Sequence, residues 1–396
     1  MFLTRRFVAT FAARAAVLPL LTGVAVAALL PIKPAQAQRF NPNTAAPSLG
    51  AFPQAAGTYT FDTVGSWYYS GGFMYRRPTV TGPNGYFAWG TVKNGCALYN
   101  FDVIAVSASQ KLVGKGDKPL VLLSKSTVNV YAGGTISVAG SAGTSTYAPS
   151  DTPFASYGGV GGTGGGNGGD GYKYSTNGPS SSPAAGSGSG SSAAGNTTSS
   201  GAGFYGVGGQ GSFSGAGGAS YGTAPASSLQ GGSGAGGTMY AGGGGGGGAL
   251  EISAVQGIYV YDGGAGAPPT ISASGGSGAV GNSYLSTYTS SGGGSGGTIY
   301  LTAPAVYFYN ITNFTFNARG GSSQWNGQTI YGTYTYGGPG AGGRMRVEYN
   351  NAPFSSTTHP WVAGGVVSGD PFNQATVAAG AATGEFVIAP LSAYTP

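Results

Sequence analysis

The chain has 396 residues, of which 80 are glycine, and its 7% of charged residues lies far below the roughly 25% of ordinary soluble domains, which excludes a solvated helical bundle. The glycines keep no strict period of three and only 23 residues are proline, which excludes collagen. Because 40% of the residues are hydrophobic and 26 are tyrosine, the composition differs from that of common disordered chains and favours a β-rich extracellular scaffold.

Residues 1–37 have the pattern of a secretory signal peptide. Three arginines lie within the first 14 residues, an apolar run follows from Ala15 to Leu30, and Ala35–Ala37 has the small-x-small spacing of a cleavage site. We expect cleavage between Ala37 and Gln38, and a secreted or cell-surface location in a bacterium. A retained membrane anchor is the weaker alternative, because the apolar run contains a proline and is shorter than the roughly 18 continuous apolar residues of a spanning helix. Thr4–Val8 resembles a twin-arginine export signal without its usual spacer, which leaves the export route open.

Removal of this segment changes the charge balance. The formal net charge of the whole chain is +6, but the segment carries four basic residues and no acidic one, so the mature chain has a net charge of +2. Nucleic-acid binding therefore loses its main support. The only cysteine, Cys96, excludes an internal disulfide, and with the only histidine, His359, it is too little for a Cys/His metal cluster. We predict no cofactor, no resident metal, no nucleic-acid partner and no stable membrane insertion.

Residues 38–118 have ordinary β character and are expected to form a small N-terminal β domain or cap. Aromatic and β-branched runs such as Thr58–Asp62, Trp67–Tyr69 and Ala97–Val106 are separated by glycine, proline and asparagine turn signals.

An internal repeat follows over residues 119–350. Each unit has three short strands in which aliphatic residues alternate with polar residues or tyrosines, and a glycine-rich tail. The first strands of the units begin at residues 120, 250, 299 and 345. Because one such unit cannot bury its apolar face alone, this pattern predicts an all-β fold of the β-solenoid or parallel β-helix type. A β-sandwich with coincidentally similar strands is the alternative.

The largest glycine-rich insert is residues 158–249, which contain 37 glycines among 92 residues. One interpretation is a flexible linker of glycine, serine and alanine. The other is a stack of extended polyglycine II helices, which bond laterally to one another when bulky side chains are absent. Interspersed aromatic residues favour some packing over a pure linker, and the sequence leaves both interpretations open.

Two runs, Gly293–Ala303 and Gly340–Tyr349, carry a resemblance to a known group. In both runs, a glycine block leads into an aliphatic strand. Ile271–Gly276 has the sequence Ile-Ser-Ala-Ser-Gly-Gly, with which a repeat unit of this type ends. These runs resemble the repeats of large glycine-rich secreted or surface proteins of bacteria, adhesin-like proteins among them. The composition is also similar to that of glycine-rich domains of phage tail adhesins and of the anaplastic-lymphoma-kinase receptor, which are built on packed polyglycine helices. The resemblance covers residues 119–350 and implies an architecture, but no catalytic residues.

Residues 351–396 are expected to form a C-terminal cap or tail. The last strand predicted is Glu385–Ala389, which either closes the open end of the solenoid or adds to the sheet edge of a neighbouring subunit.

Few residues offer catalytic chemistry, and we predict that the protein is not an enzyme. Glu251 and Glu348 both occupy polar positions of first strands, but Glu348 lies two positions further along its strand. A polysaccharide-degrading β-helix would need two converging carboxylates, so it ranks third among the functions considered. His359 is followed by Pro360 in a proline-rich stretch and is expected to be a solvent-exposed loop residue. The single match to a calcium-binding nonapeptide, Gly165–Tyr172, has no second copy and is interpreted as chance.

The tyrosines of the repeat supply the candidate contact face. They occupy positions opposite the aliphatic residues and form either an exposed aromatic face or a layer buried against the glycine-rich segments. The leading functional prediction is a secreted structural or adhesive protein that self-assembles as a homo-oligomer or filament in a fibre, matrix or surface appendage, with cell-surface glycans as candidate partners. The alternative is a glycan- or ice-binding module. The residues predicted for the contact face are Tyr259, Tyr261, Tyr300, Tyr307 and Tyr309.

Overall fold

A computed structural model gives the fold of the chain. It describes residues 39–145, 147–148, 154–175, 178–222, 228–261, 267–283, 288–309, 315–330, 333–350, 367–368 and 384–391. The predicted signal peptide, the cleavage pair Ala37 and Gln38, and His359 lie outside these residues. The described chain is all-β, as predicted, with parallel and antiparallel pairing and one 3₁₀ turn at Pro83–Gly85.

The strands are numbered in chain order. The first ten are β1 (Gly57–Ser70), β2 (Phe73–Thr81), β3 (Phe87–Trp89), β4 (Thr91–Lys93), β5 (Cys96–Phe101), β6 (Ile104–Val106), β7 (Gln110–Lys115), β8 (Leu120–Ser124), β9 (Thr127–Val130) and β10 (Thr135–Ser137). The others are β11 (Tyr147–Ala148), β12 (Phe154–Ala155), β13 (Lys173–Ser175), β14 (Gly178–Ser181), β15 (Ala249–Ala254), β16 (Gly257–Tyr261), β17 (Thr270–Ser272), β18 (Val280–Ser283), β19 (Tyr288–Ser290), β20 (Thr298–Thr302), β21 (Ala305–Tyr309), β22 (Thr315–Asn317), β23 (Ser323–Ile330), β24 (Thr333–Tyr336), β25 (Arg344–Tyr349), β26 (Val367–Ser368) and β27 (Glu385–Pro390).

Three sheets collect corresponding strands of successive strand triplets. The opening sheet contains the first strands β5, β8, β15, β20, β25 and β27 in parallel, with β4 antiparallel at its edge. The middle sheet contains the second strands β6, β9, β16 and β21, all parallel. The closing sheet contains the third strands β7, β10, β17 and β22, continued by β1 and by the antiparallel strands β2 and β3. The shorter strands β11–β14, β18, β19, β23, β24 and β26 form three small sheets.

Aliphatic residues of successive triplets occupy matching register positions in these sheets, which explains the pairing. In the opening sheet, Leu120 pairs with Leu250, Leu250 with Ile299, and Ile299 with Met345. All of these side chains are buried in one hydrophobic core, so each triplet covers the apolar edge of the one before it. The matching core columns are Ile104, Val128, Ile258 and Val306 in the middle sheet and Leu112, Ile136, Ile271 and Phe316 in the closing sheet.

The parallel pairing extends into residues 38–118, the segment expected to form an N-terminal β domain or cap. β5, β6 and β7 pair in parallel with β8, β9 and β10 and are therefore a first triplet within the stack. The sequence pattern treated Ala97–Val106 as one run, whereas the chain breaks at Asp102, whose backbone N–H donates to the Gly50 carbonyl. At the other end, β27 pairs in parallel with β25 and is the last strand of the opening sheet in the described chain.

The glycine-rich segments bond to one another laterally through their backbones. In Gly242–Gly248, the N–H groups of successive residues donate to three different neighbouring segments in turn. Residues three positions apart therefore donate to the same segment. This three-residue period is that of an extended helix with three residues per turn. The donor–acceptor pairs are Gly243 to Gly169 and Gly246 to Gly166, Gly244 to Gly292 and Gly247 to Ser295, and Gly245 to Ser141 and Gly248 to Val138.

The carbonyls of the same segment accept from three further segments with the same period. Gly242–Gly248 therefore lies at the centre of six neighbours, and its backbone is satisfied without a β-sheet. The donor–acceptor pairs are Gly159 to Gly243 and Gly162 to Gly246, Ala235 to Gly244 and Gly232 to Gly247, and Ala279 to Gly242 and Gly276 to Gly245.

Candidate binding face

The outer side of the middle sheet carries tyrosines because the strand pattern alternates. In β16, Ile258 and Val260 point into the core, so Tyr259 and the residue two further along, Tyr261, point outward. The neighbouring β21 repeats this pattern in register, which places Tyr259 beside Tyr307 and Tyr261 beside Tyr309.

The rings of these residues stack in a regular array. Tyr259 and Tyr307 have centroids 5.8 Å apart and Tyr261 and Tyr309 4.9 Å apart, with 1° between the ring planes in both pairs. Along the strands, neighbouring rings are 6.4 Å and 5.9 Å apart. Tyr131, which the sequence analysis did not select, adds a fifth ring at 5.3 Å from Tyr261. We call the five residues the tyrosine face.

The tyrosine face is uncharged and partly open to solvent. Tyr131 and Tyr309 are each 44% exposed, whereas the other three rings are half-buried. Burial raises the pKa of Tyr261 above its ordinary value, and the neighbouring tyrosines Tyr309, Tyr131 and Tyr259 raise it further. The hydroxyl of Tyr261 therefore stays neutral and available for hydrogen bonding at ordinary pH.

Tyr300, grouped with these residues on its sequence pattern, lies in a different sheet. It belongs to β20 in the opening sheet and is only 2% exposed, because it lies in a second apolar cluster on the outer side of that sheet, to which Phe40 and Leu229 contribute from outside the sheet. The sequence contained the relevant signal. First strands such as Leu120–Ser124 are apolar at nearly every position, which is typical of strands buried on both faces.

Glu251 and Glu348 also lie on the covered outer side of the opening sheet, with no solvent exposure. Burial raises the pKa of Glu251 well above its ordinary value. Two groups oppose this increase: the Phe40 backbone N–H, which donates to Oε1 at 3.0 Å, and the nearby charge of Arg39. The charge of Glu348 adds to the increase. Glu348 pairs with Arg346 at 2.6 Å. Their offset along the strands is as the sequence indicated, and their burial gives them structural contacts instead of access to a polysaccharide.

The nonapeptide-like stretch Gly165–Tyr172 uses its polar side chains to join glycine-rich segments. Asn167 Oδ1 accepts the Gly161 N–H at 2.8 Å, and Asp170 Oδ1 accepts the Gly158 N–H at 2.9 Å. Within the described ranges, no three His, Cys, Asp or Glu side chains are grouped to hold a metal ion. Cys96 is buried, and this burial raises the pKa of its thiol to about 12.

A search of the described chain for long apolar helices finds none able to cross a membrane. Comparison with protein-family models, with characterised proteins and with solved structures gives no significant match.

Proposed function

We propose that this chain is a secreted structural and adhesive protein, in which a β-solenoid and a bundle of polyglycine II helices together display the tyrosine face. Support for the solenoid comes from the parallel pairing of corresponding strands of successive triplets in three sheets. Support for the polyglycine II bundle comes from the three-residue hydrogen-bond period and the six neighbours of Gly242–Gly248.

The observation that carries the adhesive role is the tyrosine face itself. Five rings are held in register by the sheet beneath them, so they lose little conformational entropy when a partner binds. Tyrosine combines a flat apolar ring with a hydroxyl and is enriched in contact surfaces. The mature chain also has a low net charge, which favours self-association over electrostatic repulsion.

The test uses the mature chain and the variant Tyr261→Ser/Tyr309→Ser. We expect this variant to lose self-assembly, measured by sedimentation and electron microscopy, and adhesion to cells or solids by at least about tenfold, since two half-exposed rings are removed. The matched control, Val207→Ser/Phe213→Ser, removes two exposed apolar side chains elsewhere and should retain both properties. A mature protein that stays monomeric at high concentration and binds no cells, glycans or solids would refute the proposal.

A glycan-binding role for the same face is the second candidate. The observation that favours it is the regular spacing of the tyrosine rings and hydroxyls on the outer side of one sheet. Aromatic rings pack against the apolar faces of sugars, and the hydroxyls supply hydrogen bonds. A glycan array together with an ice-recrystallisation assay separates these binding roles from a purely structural one: saturable binding that Tyr261→Ser/Tyr309→Ser abolishes would support the second candidate.

A further inference from the structure

A second aromatic surface lies far from the middle sheet in sequence, on the hairpin formed by β1 and β2. We call residues Ser66–Arg77 the aromatic hairpin. Its two strands are antiparallel, with Ser66 opposite Arg77 at one end and Ser70 opposite Phe73 next to the turn. Gly71 and Gly72 form the turn, with φ angles of 57° and 84° that suit the tight two-residue connection. From Tyr69 to Arg76 every residue is exposed, so this end of the hairpin projects into solvent with both faces uncovered.

Exposed apolar side chains are concentrated here. Among the described residues, fifteen large hydrophobic side chains are exposed, and six of them lie on the aromatic hairpin or on the adjoining β3. They lie on both faces of the hairpin: Tyr69 pairs with Met74 on one face, and the Phe73 and Tyr75 rings have centroids 6.4 Å apart on the other. Clusters of exposed apolar side chains mark interaction sites. A hairpin of two strands gains little stability of its own from such residues, so folding does not explain them. The six are Trp67, Tyr69, Phe73, Met74, Tyr75 and Phe87.

The side chains change character in a fixed order along the aromatic hairpin. Phe73 and Met74, next to the turn, are purely apolar and are 67% and 63% exposed. Tyr69 and Tyr75 follow, with rings that end in hydroxyls. Behind them, the Arg76 guanidinium lies 4.8 Å from the centre of the Trp67 ring.

This order matches the depth profile of a membrane surface. Apolar side chains enter the acyl region, tyrosine and tryptophan lie at the headgroup level, and arginine remains near lipid phosphates. The charge also fits one kind of surface. Between Asp62 and Asp102 the sequence contains Arg76, Arg77 and Lys93 but no acidic residue, so the hairpin and its surroundings complement an anionic layer.

We infer that the aromatic hairpin inserts its turn into the headgroup region of an anionic lipid bilayer and holds the protein at that surface as a peripheral anchor. The charge argues against a second copy of the chain as occupant, because a symmetric contact would bring the arginines of two hairpins together. This binding is separate from the tyrosine face, which is uncharged and lies on the middle sheet.

The test measures co-sedimentation of the mature chain with phosphatidylcholine vesicles, with and without phosphatidylglycerol. We expect binding to the vesicles that contain phosphatidylglycerol, weakened by salt. Loss of each apolar side chain should weaken binding about tenfold, so Phe73→Ser/Met74→Ser should weaken it about a hundredfold. Arg76→Gln should weaken it about fivefold. The matched control Val207→Ser/Phe213→Ser should bind like the parent chain.

Folding is checked in each variant by circular dichroism and by protection of Cys96 from a thiol reagent. As a second readout, brominated lipid should quench part of the tryptophan fluorescence, and Trp67→Phe should remove that part. Equal binding of the folded turn variant and the parent chain would overturn the inference, as would equal binding to neutral and anionic vesicles. The inference would also be overturned if the parent chain is a dimer, the turn variant is a monomer, and neither binds vesicles. That result would identify a second copy of the chain as the partner of the hairpin.

Discussion

Replacement of Gly244 by alanine tests whether the glycine-rich segments form a close-packed bundle. The Gly244 N–H donates to the Gly292 carbonyl, and its carbonyl accepts the Ala235 N–H, both at 2.9 Å. A Cβ atom at this position would lie 1.9 Å from the Gly276 carbonyl oxygen and 2.8 Å from the Gly294 nitrogen. All of these contacts are backbone atoms, so no side-chain rotation relieves the clash.

The magnitude follows from the contacts that must move. Ordinary carbon–oxygen contacts are about 3.3 Å or longer, so the neighbouring backbone has to shift by more than about 1 Å. That shift disrupts the bond from Gly294 N–H to the Gly276 carbonyl and the bond from Gly276 N–H to the Gly245 carbonyl, at 2.9 Å and 2.7 Å. Two hydrogen bonds at about 1 kcal/mol each and overpacking of about 1–3 kcal/mol give a loss of about 3–5 kcal/mol. This is a large part of the roughly 5–15 kcal/mol of a typical domain.

The assay is urea unfolding followed by circular dichroism, with Gly215→Ala as the matched control. Gly215 lies in the same glycine-rich region, but a Cβ there has no atom within 4 Å. Both changes reduce the entropy of the unfolded chain equally, so the difference between the two variants isolates the packing cost. If Gly244→Ala unfolds within about 0.5 kcal/mol of Gly215→Ala, the close-packed interpretation of the segment is refuted.

Three further predictions concern buried side chains. The pKa of Glu251 is raised in the folded chain above its ordinary value of 4.5, so at pH values between these two the folded state binds a proton that the unfolded state has lost. The free energy of unfolding therefore falls as pH rises from 4.5 to the folded pKa. Glu251→Gln should flatten that decline in unfolding experiments run across this pH range, and an unchanged slope would contradict the assignment. Burial raises the pKa of the Cys96 thiol to about 12, so thiol reagents at pH 8 should label it only after unfolding; rapid labelling of the native protein would contradict its burial. Arg344 is buried, and its guanidinium lies 5.0 Å from the centres of the Phe204 and Tyr205 rings. Arg344→Lys keeps the charge but not the planar stacking, so it should lower the free energy of unfolding in urea by about 1–2 kcal/mol. An unchanged free energy of unfolding would show that the stacking contributes nothing to stability.

The strands of the repeat were predictable because their side chains alternate. Residues such as Leu120, Leu250 and Ile299 mark equivalent positions, and the structure pairs them in register. Alternation alone did not predict the burial of Tyr300. The apolar composition of first strands such as Leu120–Ser124 indicates burial on both faces, but it does not identify which distant segment covers the outer side of the sheet. That segment includes Phe40, far from Tyr300 in sequence.

The contacts of the glycine-rich segments were still less predictable. Glycine has no side chain, so a run such as Gly242–Gly248 has no pattern that identifies which segments will be its neighbours. Its contacts are between backbone groups, which every residue possesses. Alternation placed Tyr259, Tyr261, Tyr307 and Tyr309 on the side of their strands opposite the aliphatic residues. The fifth ring, Tyr131, could have been found from its position one residue after Val130, which matches that of Tyr261 after Val260.

The glycines that precede the first strands explain how the repeat and the glycine-rich segments fit together. Gly248, Gly297, Gly343 and Gly384 stand immediately before β15, β20, β25 and β27. A Cβ at Gly297 would lie 1.9 Å from the Gly248 carbonyl oxygen, one at Gly343 2.1 Å from that of Gly297, and one at Gly384 1.9 Å from that of Gly343. Each of the last three glycines thus leaves room for the carbonyl of the preceding one, and the residue after it donates its N–H to that same carbonyl, as Thr298 does to Gly248. The repeated glycine is therefore required where the glycine-rich segment enters the sheet, because a Cβ atom at Gly297, Gly343 or Gly384 would overlap the carbonyl oxygen of the corresponding glycine in the preceding unit.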